Sequence, residues 1–445
     1  MGIKKHTALI GLSSVIHTGL GFLSGILLTR MLGPEGRGAL QKMDASVTLL
    51  AMLATMKVNV AITYFVANGK ISRERVYGIG LTILGLGTLA VALTLLILKL
   101  LGHESLLLPV GYGGLFFAAY LLSLFFVRQL QLVLQGFLRG VKNFSEIYAN
   151  TVFISIFRLV FFAVMFGVSM VIGRQYSTAE GLGFHWIVAF AGLAATAFFF
   201  RKNFQFKPDF QFSRSGDLAP FMSFTTASFL SLLCQFFNRK LDIWFVEGYA
   251  GVAQLGIYAL AANLGELILV LPDTIREVMM PYFASGQREE NIQHLRFFAR
   301  MTFTLSLVVL GGLALFAPYF IPFLYGAEFA GAVLPFRILT IGLAFTGFGI
   351  LFYTWNNSQG NPKFNLYANL AALAVTVALD LWLIPRHGIM GAAVASMLAY
   401  LTSAAIAAYT VFGIQKVPFG NYFILERADF AAALALVRGK LKRKK

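Results

Sequence analysis

The chain has 445 residues, of which 58% are hydrophobic and only 12% charged, with a formal net charge of +17. Soluble domains run at about 25% charged, so this composition excludes a soluble globular protein. Alternating segments of roughly ten residues, the mark of a membrane β-barrel, do not occur; long apolar runs separated by short polar clusters predict an all-α polytopic membrane protein instead.

The first run follows Lys4 and Lys5 and continues for about 24 apolar residues without a small-residue cleavage site before Arg30, too long for a signal-peptide core. It is read as a retained first helix. On spans of about 20 residues, helices are predicted near 7–30, 39–67, 76–99, 109–137, 146–172, 181–200, 217–245, 254–284, 294–316, 328–357, 363–385 and 388–413. Twelve spans place both ends of the chain on one side. That side collects Lys4, Lys5, Lys70, Arg73, Arg75, Arg139, Lys142, Arg201, Lys202, Lys207, Arg214, Arg288, Arg296, Lys363 and the eight cations after residue 414. The other side holds Arg30, Arg37, Lys99, Arg174 and Arg386. Positive loops face the cytoplasm, so both termini of a multi-pass membrane protein are expected there. The same sorting accounts for the net charge without nucleic acid, and no nucleic-acid partner is expected.

The longest inner loop, RKNFQFKPDFQFSRSGD at 201–217, falls at the middle of the chain. It divides the sequence into an amino-terminal six-helix lobe (1–200), a cytoplasmic linker (201–216), a carboxy-terminal six-helix lobe (217–413) and a basic cytoplasmic tail (414–445). An internal repeat supports the division. GVKNFSEIYAN at 140–150 resembles GNPKFNLYAN at 360–369, and GRGAL at 36–40 can be laid over LGIYA at 255–259, pairing Gly38 with Gly256. Two halves with the same orientation imply a pseudo-twofold axis along the membrane normal. The tail, ending VRGKLKRKK, is read as attached electrostatically to anionic membrane lipids.

Catalytic chemistry finds no support. Cys234 is the single cysteine and the six histidines are scattered without metal-ligand spacing. No Gly-rich phosphate loop ending in Lys-Ser or Lys-Thr occurs, and no extramembrane segment is long enough for a catalytic domain. Neither an enzyme, a metal site nor an organic cofactor is expected.

Nine cations remain at membrane depth: Lys42, Lys57, Arg128, Arg158, Arg239, Lys240, Arg276, Arg300 and Arg337. Lys42, Arg300 and Arg337 lie near span ends, where long side chains reach the interface. Lys57, Arg128, Arg158, Arg239 and Arg276 lie deeper, where a charge costs from a few to more than about 10 kcal/mol if lipid surrounds it. Helical spacing groups them into polar stripes: Arg128, Gln131 and Gln135; Thr151, Ser155 and Arg158; Gln235, Arg239 and Asp242; Asn263, Glu266, Asp273 and Glu277. Such faces look into a bundle or a water-filled cavity. Arg239–Asp242 and Asp273–Arg276, each three apart, are alternatively neutralised pairs that brace helices. Lys57, Arg128 and Arg158 have no acidic residue within a helical turn, and a vestibule that receives an anion is the expectation. Asp242, Glu266 and Asp273 are candidates to take up a coupling H+ or Na+.

LLTRMLGPEGRGAL at 27–40 resembles the first-loop signature of the polysaccharide flippases of the multidrug/oligosaccharidyl-lipid/polysaccharide superfamily. RKLDIWFVEGYAGVAQLGIYALAANLGELILVLPDTIREVMMP at 239–281 and NNSQGNPKFNLYANLAALAVTVALDLWLIPRHGIMGAAVAS at 356–396 are similar to that family's seventh-to-eighth-helix and eleventh-to-twelfth-helix regions. The resemblance implies two six-helix lobes around a central cationic cavity. It also implies an exporter of undecaprenyl-pyrophosphate-linked oligosaccharide repeat units from the cytoplasmic to the periplasmic leaflet, with a polysaccharide polymerase as a partner. Lipid II flippases and ion-coupled drug exporters of the same superfamily are the alternatives. The first usually carry two extra helices, and the second accept organic cations, which surplus Lys and Arg would repel.

Overall fold

In a computed structural model the described residues are predominantly helical, with no strand among them. These are residues 3–56, 58–141, 143–211, 218–270 and 288–426, with positions 272, 273, 275, 276, 279, 283 and 429. The helices are α1 (Ile3–Thr55), α2 (Val58–Asn68), α3 (Arg73–Leu100), α4 (Leu115–Gly140), α5 (Phe144–Ile172), α6 (Thr178–Asn203), α7 (Leu218–Lys240), α8 (Asp242–Ala250), α9 (Val252–Glu266), α10 (Arg288–Tyr325), α11 (Val333–Ser358) and α12 (Pro362–Tyr409). Among the described residues, eight helices are long and apolar enough to cross a membrane, or nine if one bent pair counts as a span.

These helices do not coincide one for one with the predicted spans, because the breaks fall in different places. Two pairs of spans run together. In α1 the backbone turns at Gly33 (φ 63°, ψ −174°), just before Pro34, and in α12 it turns at Gly388 (φ 54°, ψ −133°). Both φ values suit a residue without Cβ, so the chain bends sharply without unwinding a loop. Conversely, the predicted spans 39–67 and 217–245 are each interrupted. Met56, at φ 44°, separates α1 from α2, and Leu241 separates α7 from α8.

The helices gather into two compact units. The first comprises residues 1–236, 246–259 and 324–328. One of its cores is formed by residues including Leu28, Met43, Val47, Leu121, Phe125, Phe162 and Leu182. Another is an aromatic cluster of Phe65, Phe137, Phe200, Phe204 and Phe221 around α2, α3, α4 and α6. At the turn of α1 the backbones meet across the repeat. A Cβ on Gly38 would lie 1.9 Å from the Val252 carbonyl oxygen, and one on Gly256 would lie 1.8 Å from that of Pro34. Pro34 and Val252 are separated by the same interval as Gly38 and Gly256, so the contact is reciprocal in the register read from sequence. Nearby, Lys42 is buried in an ion pair with Glu247, whose other oxygen accepts the Val110 N–H at 2.8 Å. This corrects the expectation that Lys42 reaches out to the interface.

The second unit comprises residues 237–245, 260–323 and 329–445. Its core joins α10, α11 and α12 through Phe348, Phe352, Trp355, Ala407 and Val411. The stretch after α12 returns over this core as a strap. Tyr422 is fully buried, and Phe423 stacks on Phe348 with ring centres 4.9 Å apart. Arg296 donates to the Pro418 carbonyl at 3.2 Å, and Arg300 bonds Glu426 at 3.1 Å and Asp429 at 2.7 Å. The beginning of the expected tail is thus packed onto α10 and α11. Arg300 ends in ion pairs, and Arg337 donates to the Ala314 carbonyl at 2.8 Å.

Candidate functional site

Polar side chains at membrane depth collect in each unit separately. In the first, local chemistry aligns α4, α5 and α6. A capping box starts α6: Ser177 Oγ accepts the Glu180 N–H at 3.3 Å, and Glu180 accepts the Ser177 N–H at 2.8 Å. Two turns on, His185 meets α4. Tyr120 Oη lies 2.8 Å from His185 Nδ1, and Arg128 Nη2 lies 3.4 Å from His185 Nε2. The same Arg128 nitrogen donates to Asp44 Oδ1 of α1 at 2.9 Å. Arg128 and Asp44 retain 31% and 36% side-chain exposure, so the pair faces open space rather than packed protein. Beside it a cavity of about 140 Å³ is lined by Thr48, Thr55, Asn59, Arg128 and Gln129 together with the apolar Val47, Ala51, Met52 and Leu132.

The Thr151–Ser155–Arg158 stripe of α5 faces α1. Ser155 Oγ lies 2.9 Å from His17 Nδ1, and the Arg158 guanidinium lies over Gly21, where a Cβ would come within 2.8 Å of Nη2. Glycine there makes the space that the guanidinium occupies. Arg158 makes no ion pair among the described residues, and its buried Nε has no hydrogen-bond partner there. Arg128 and Arg158 belong to one electrostatic neighbourhood, both acting on His185. Lys57 lies outside the described residues.

In the second unit the break at Leu241 leaves Asp242 in the first turn of α8, where the helix dipole favours negative charge. Asp242 Oδ2 accepts the Ser396 hydroxyl at 3.3 Å. Its neighbour is Asp380 of α12, fully buried, with neither carboxylate oxygen hydrogen-bonded among the described residues. Two carboxylates placed together away from water repel one another and demand a proton or a cation. Tyr400 lies within electrostatic reach of Asp242, Glu266, Asp380 and Arg239. Glu266 is ion-paired with Lys240 of α7 at 3.2 Å, and Arg276 with Asp273 at 3.3 Å. The latter is the neutralised pair that the sequence left open. Of the deep cations in this unit, Arg239 makes no ion pair among the described residues.

Sequence reasoning passed over Asp44, His185 and Asp380. Asp44 and His185 act through partners far away in the chain, and no spacing rule reveals them. Asp380 carried a legible signal: a lone carboxylate in VALDLWLI, which a lipid-facing position would not tolerate.

The profile of a family described as polysaccharide biosynthesis protein matches residues 3–287. No curated protein sequence matches the chain. Among solved structures, the chain is similar to an inward-facing multidrug resistance MATE family transporter of the MOP superfamily: TM-score 0.69, 15% identity, 90% of this chain and 94% of that one. It is equally similar to the lipid II flippase MurJ in an inward closed conformation, with TM-score 0.69, 15% identity and coverage of 91% and 87%. The MATE transporter ClbM in complex with Rb+ aligns at TM-score 0.52 and 15% identity over 94% of both chains. Identities this low establish the fold, that of polytopic two-lobed transporters, and the helices here fit it. With a profile match over well more than half its length, the chain belongs to the polysaccharide biosynthesis protein family.

Proposed function

We propose that this protein is a flippase that carries an undecaprenyl-pyrophosphate-linked oligosaccharide from the cytoplasmic to the periplasmic leaflet of the bacterial inner membrane. It works by alternating access of two six-helix lobes, 1–200 and 217–413, joined by the linker 201–216. Both termini and the basic tail lie in the cytoplasm, and a polysaccharide polymerase consumes the product outside. The observation that carries this reading is the family match together with a guanidinium, Arg158, held at membrane depth without a counter-ion among the described residues. An anionic substrate supplies that missing charge. Arg128, and with it Lys57, Arg239 and Arg276, are assigned to the same pyrophosphate and acidic-sugar contacts, which guanidinium groups make through paired charge-assisted hydrogen bonds.

Energy input is assigned to H+ or Na+ at the carboxylates of the second unit. Asp242 and Asp380 with the Ser396 hydroxyl form a hard-oxygen donor set that suits either ion. Glu266 and Asp273, each already paired with a cation, are secondary candidates. Export of a drug is the competing reading, since MATE transporters share the fold; an unpaired guanidinium disfavours the organic cations that such a transporter would carry.

Proteoliposomes containing a fluorescent undecaprenyl-pyrophosphate-linked glycan test the proposal. A membrane-impermeant glycosidase reports glycan that has crossed. Transport by the wild type, and its loss in Arg158→Ala with normal insertion, is the expected result. A protein that leaves the glycan in place but accumulates a fluorescent organic cation would overturn it.

A further inference from the structure

The helix α1 stops at Met56, whose φ of 44° is uncommon for a residue other than glycine, and α2 restarts at Val58. The 140 Å³ cavity lies at this break, with Thr55 before it, Asn59 after it, and Arg128, Gln129 and Leu132 of α4 opposite. At about 30 Å³ for each molecule of liquid water, it has the room of roughly five waters. That admits one sugar ring and excludes a chain of them.

The free hydrogen-bonding groups of the lining select among ligands. Thr48 donates its hydroxyl to the Asp44 carbonyl at 2.8 Å. Thr55 shares its proton between the Ala51 carbonyl at 2.7 Å and Gln129 Oε1 at 3.1 Å. Neither threonine has a proton left to give. Gln129 is only 6% exposed, and its Nε2 has no partner among the described residues. Asn59 accepts the Thr63 hydroxyl with its backbone carbonyl at 2.9 Å, but its side-chain amide has no partner there either. Arg128 commits Nη2 to Asp44 and His185 and leaves Nε and Nη1. Two amides and one guanidinium edge therefore stand open beside an apolar wall of Val47, Met52 and Leu132.

An apolar ligand would strand these amides unpaired. A metal cation would meet a guanidinium. A phosphate group only accepts, so it leaves Asn59 Oδ1 unanswered, and the guanidinium it would meet is already neutralised by Asp44 at 2.9 Å. Sugar hydroxyls both donate and accept, and the C–H face of the ring suits the apolar wall.

We propose that this cavity is a single-sugar subsite, holding one pyranose ring of the glycan against Gln129, Asn59 and Arg128. Gln129 and Asn59 then set the preference for a sugar-bearing lipid over the bare lipid pyrophosphate. The inference rests on the flippase reading, and it narrows the part of Arg128 to the sugar while Arg158 keeps the pyrophosphate.

The test uses full-length protein in nanodiscs and four probes: undecaprenyl pyrophosphate, and the same lipid carrying one glucose, one galactose or one N-acetylglucosamine. Wild type is expected to bind at least one sugar-bearing probe about tenfold more tightly than the bare lipid, the worth of one to two net hydrogen bonds. Gln129→Leu and Asn59→Leu bind the bare lipid as wild type does and lose that preference. Asn59 is partly exposed, so its variant still reports if Gln129→Leu fails to fold. A second readout places a thiol at the rim: in Thr48→Cys with Cys234→Ser, the preferred sugar-bearing probe slows labelling by a water-soluble maleimide and the bare lipid does not. Equal wild-type affinity for all four probes, a preference retained in both leucine variants, or labelling that the sugar leaves unchanged overturns the subsite alone. Wild-type protein that binds none of the four overturns the flippase reading itself.

Discussion

Replacing Glu247 by Gln removes a charge from the most enclosed ion pair described here while keeping an acceptor for the Val110 N–H. Lys42 and Glu247 each retain 2% side-chain exposure, so neither is screened by water. At the surface such a pair would contribute about 0–1 kcal/mol, but stripping one partner from a buried pair costs about 3–5 kcal/mol because the other charge is stranded. For a chain of this size about 2 °C accompanies each kcal/mol, giving a fall in Tm of roughly 6–10 °C on these two principles. Intrinsic tryptophan fluorescence on heating detergent-solubilised protein measures it. The double variant Lys42→Met with Glu247→Gln removes both charges while keeping the acceptor for the Val110 N–H, and is expected to return to within about 1 kcal/mol of wild type. A fall below about 2 °C for Glu247→Gln, or a double variant as unstable as the sum of its singles, would show that the pair is solvated or not formed.

The close approach of α1 and α9 makes Gly38→Ala a severe change, since its Cβ would sit 1.9 Å from a carbonyl oxygen; size-exclusion chromatography of a fluorescent fusion is expected to show aggregated or absent protein, whereas Gly19→Ala, with nothing within 4 Å, behaves as wild type. Asp380→Asn is expected to abolish the dependence of glycan transport on an imposed ion gradient, measured in the proteoliposomes above; retention of that dependence would remove the carboxylate pair from the coupling step. The strap should release in acid. Burial works against the Asp429 charge, but bonds from Arg300 and from the Glu426 N–H prevail and hold its carboxyl below the usual range. Its contribution is then full above the unfolded value near about 3.9 and is lost as pH falls through the lower folded value. Asp429→Asn mimics that loss at pH 7, and trypsin should cut its tail faster than that of the wild type.

Which features were legible follows from the range of the interactions that make them. Apolar run length alone revealed the helices, and the spacing of Thr151, Ser155 and Arg158 identified the face of α5 that packs on α1. Helix breaks at Gly33 and Gly388 escaped because a single glycine with positive φ kinks the chain without the polar loop that normally marks a span end. Pairing escaped for a different reason. Lys42 and Glu247, or Arg128 and Asp44, are separated by 205 and 84 residues, and periodicity ends with the helix that carries it. The sequence therefore showed surplus cations but not which of them are already answered: Arg128 by Asp44, Lys240 by Glu266, Arg276 by Asp273. Arg158 and Arg239 alone among the deep arginines described keep their charge uncompensated by an ion pair.

The reciprocal packing of Gly38 and Gly256 has a consequence for how the chain can vary. In a homodimer, a residue that touches its own copy lies on the symmetry axis, where each side of the contact is made by the same residue. Here the two stretches belong to one polypeptide, and positions at the same interval meet each other, so each glycine faces the counterpart of its own neighbour. Elsewhere a residue can change without regard to the position one interval away. At this contact each stretch is the other's wall. A side chain gained by either glycine would strike a backbone that no rotamer change can move, and a compensating change in the partner is impossible because glycine has no atoms left to remove.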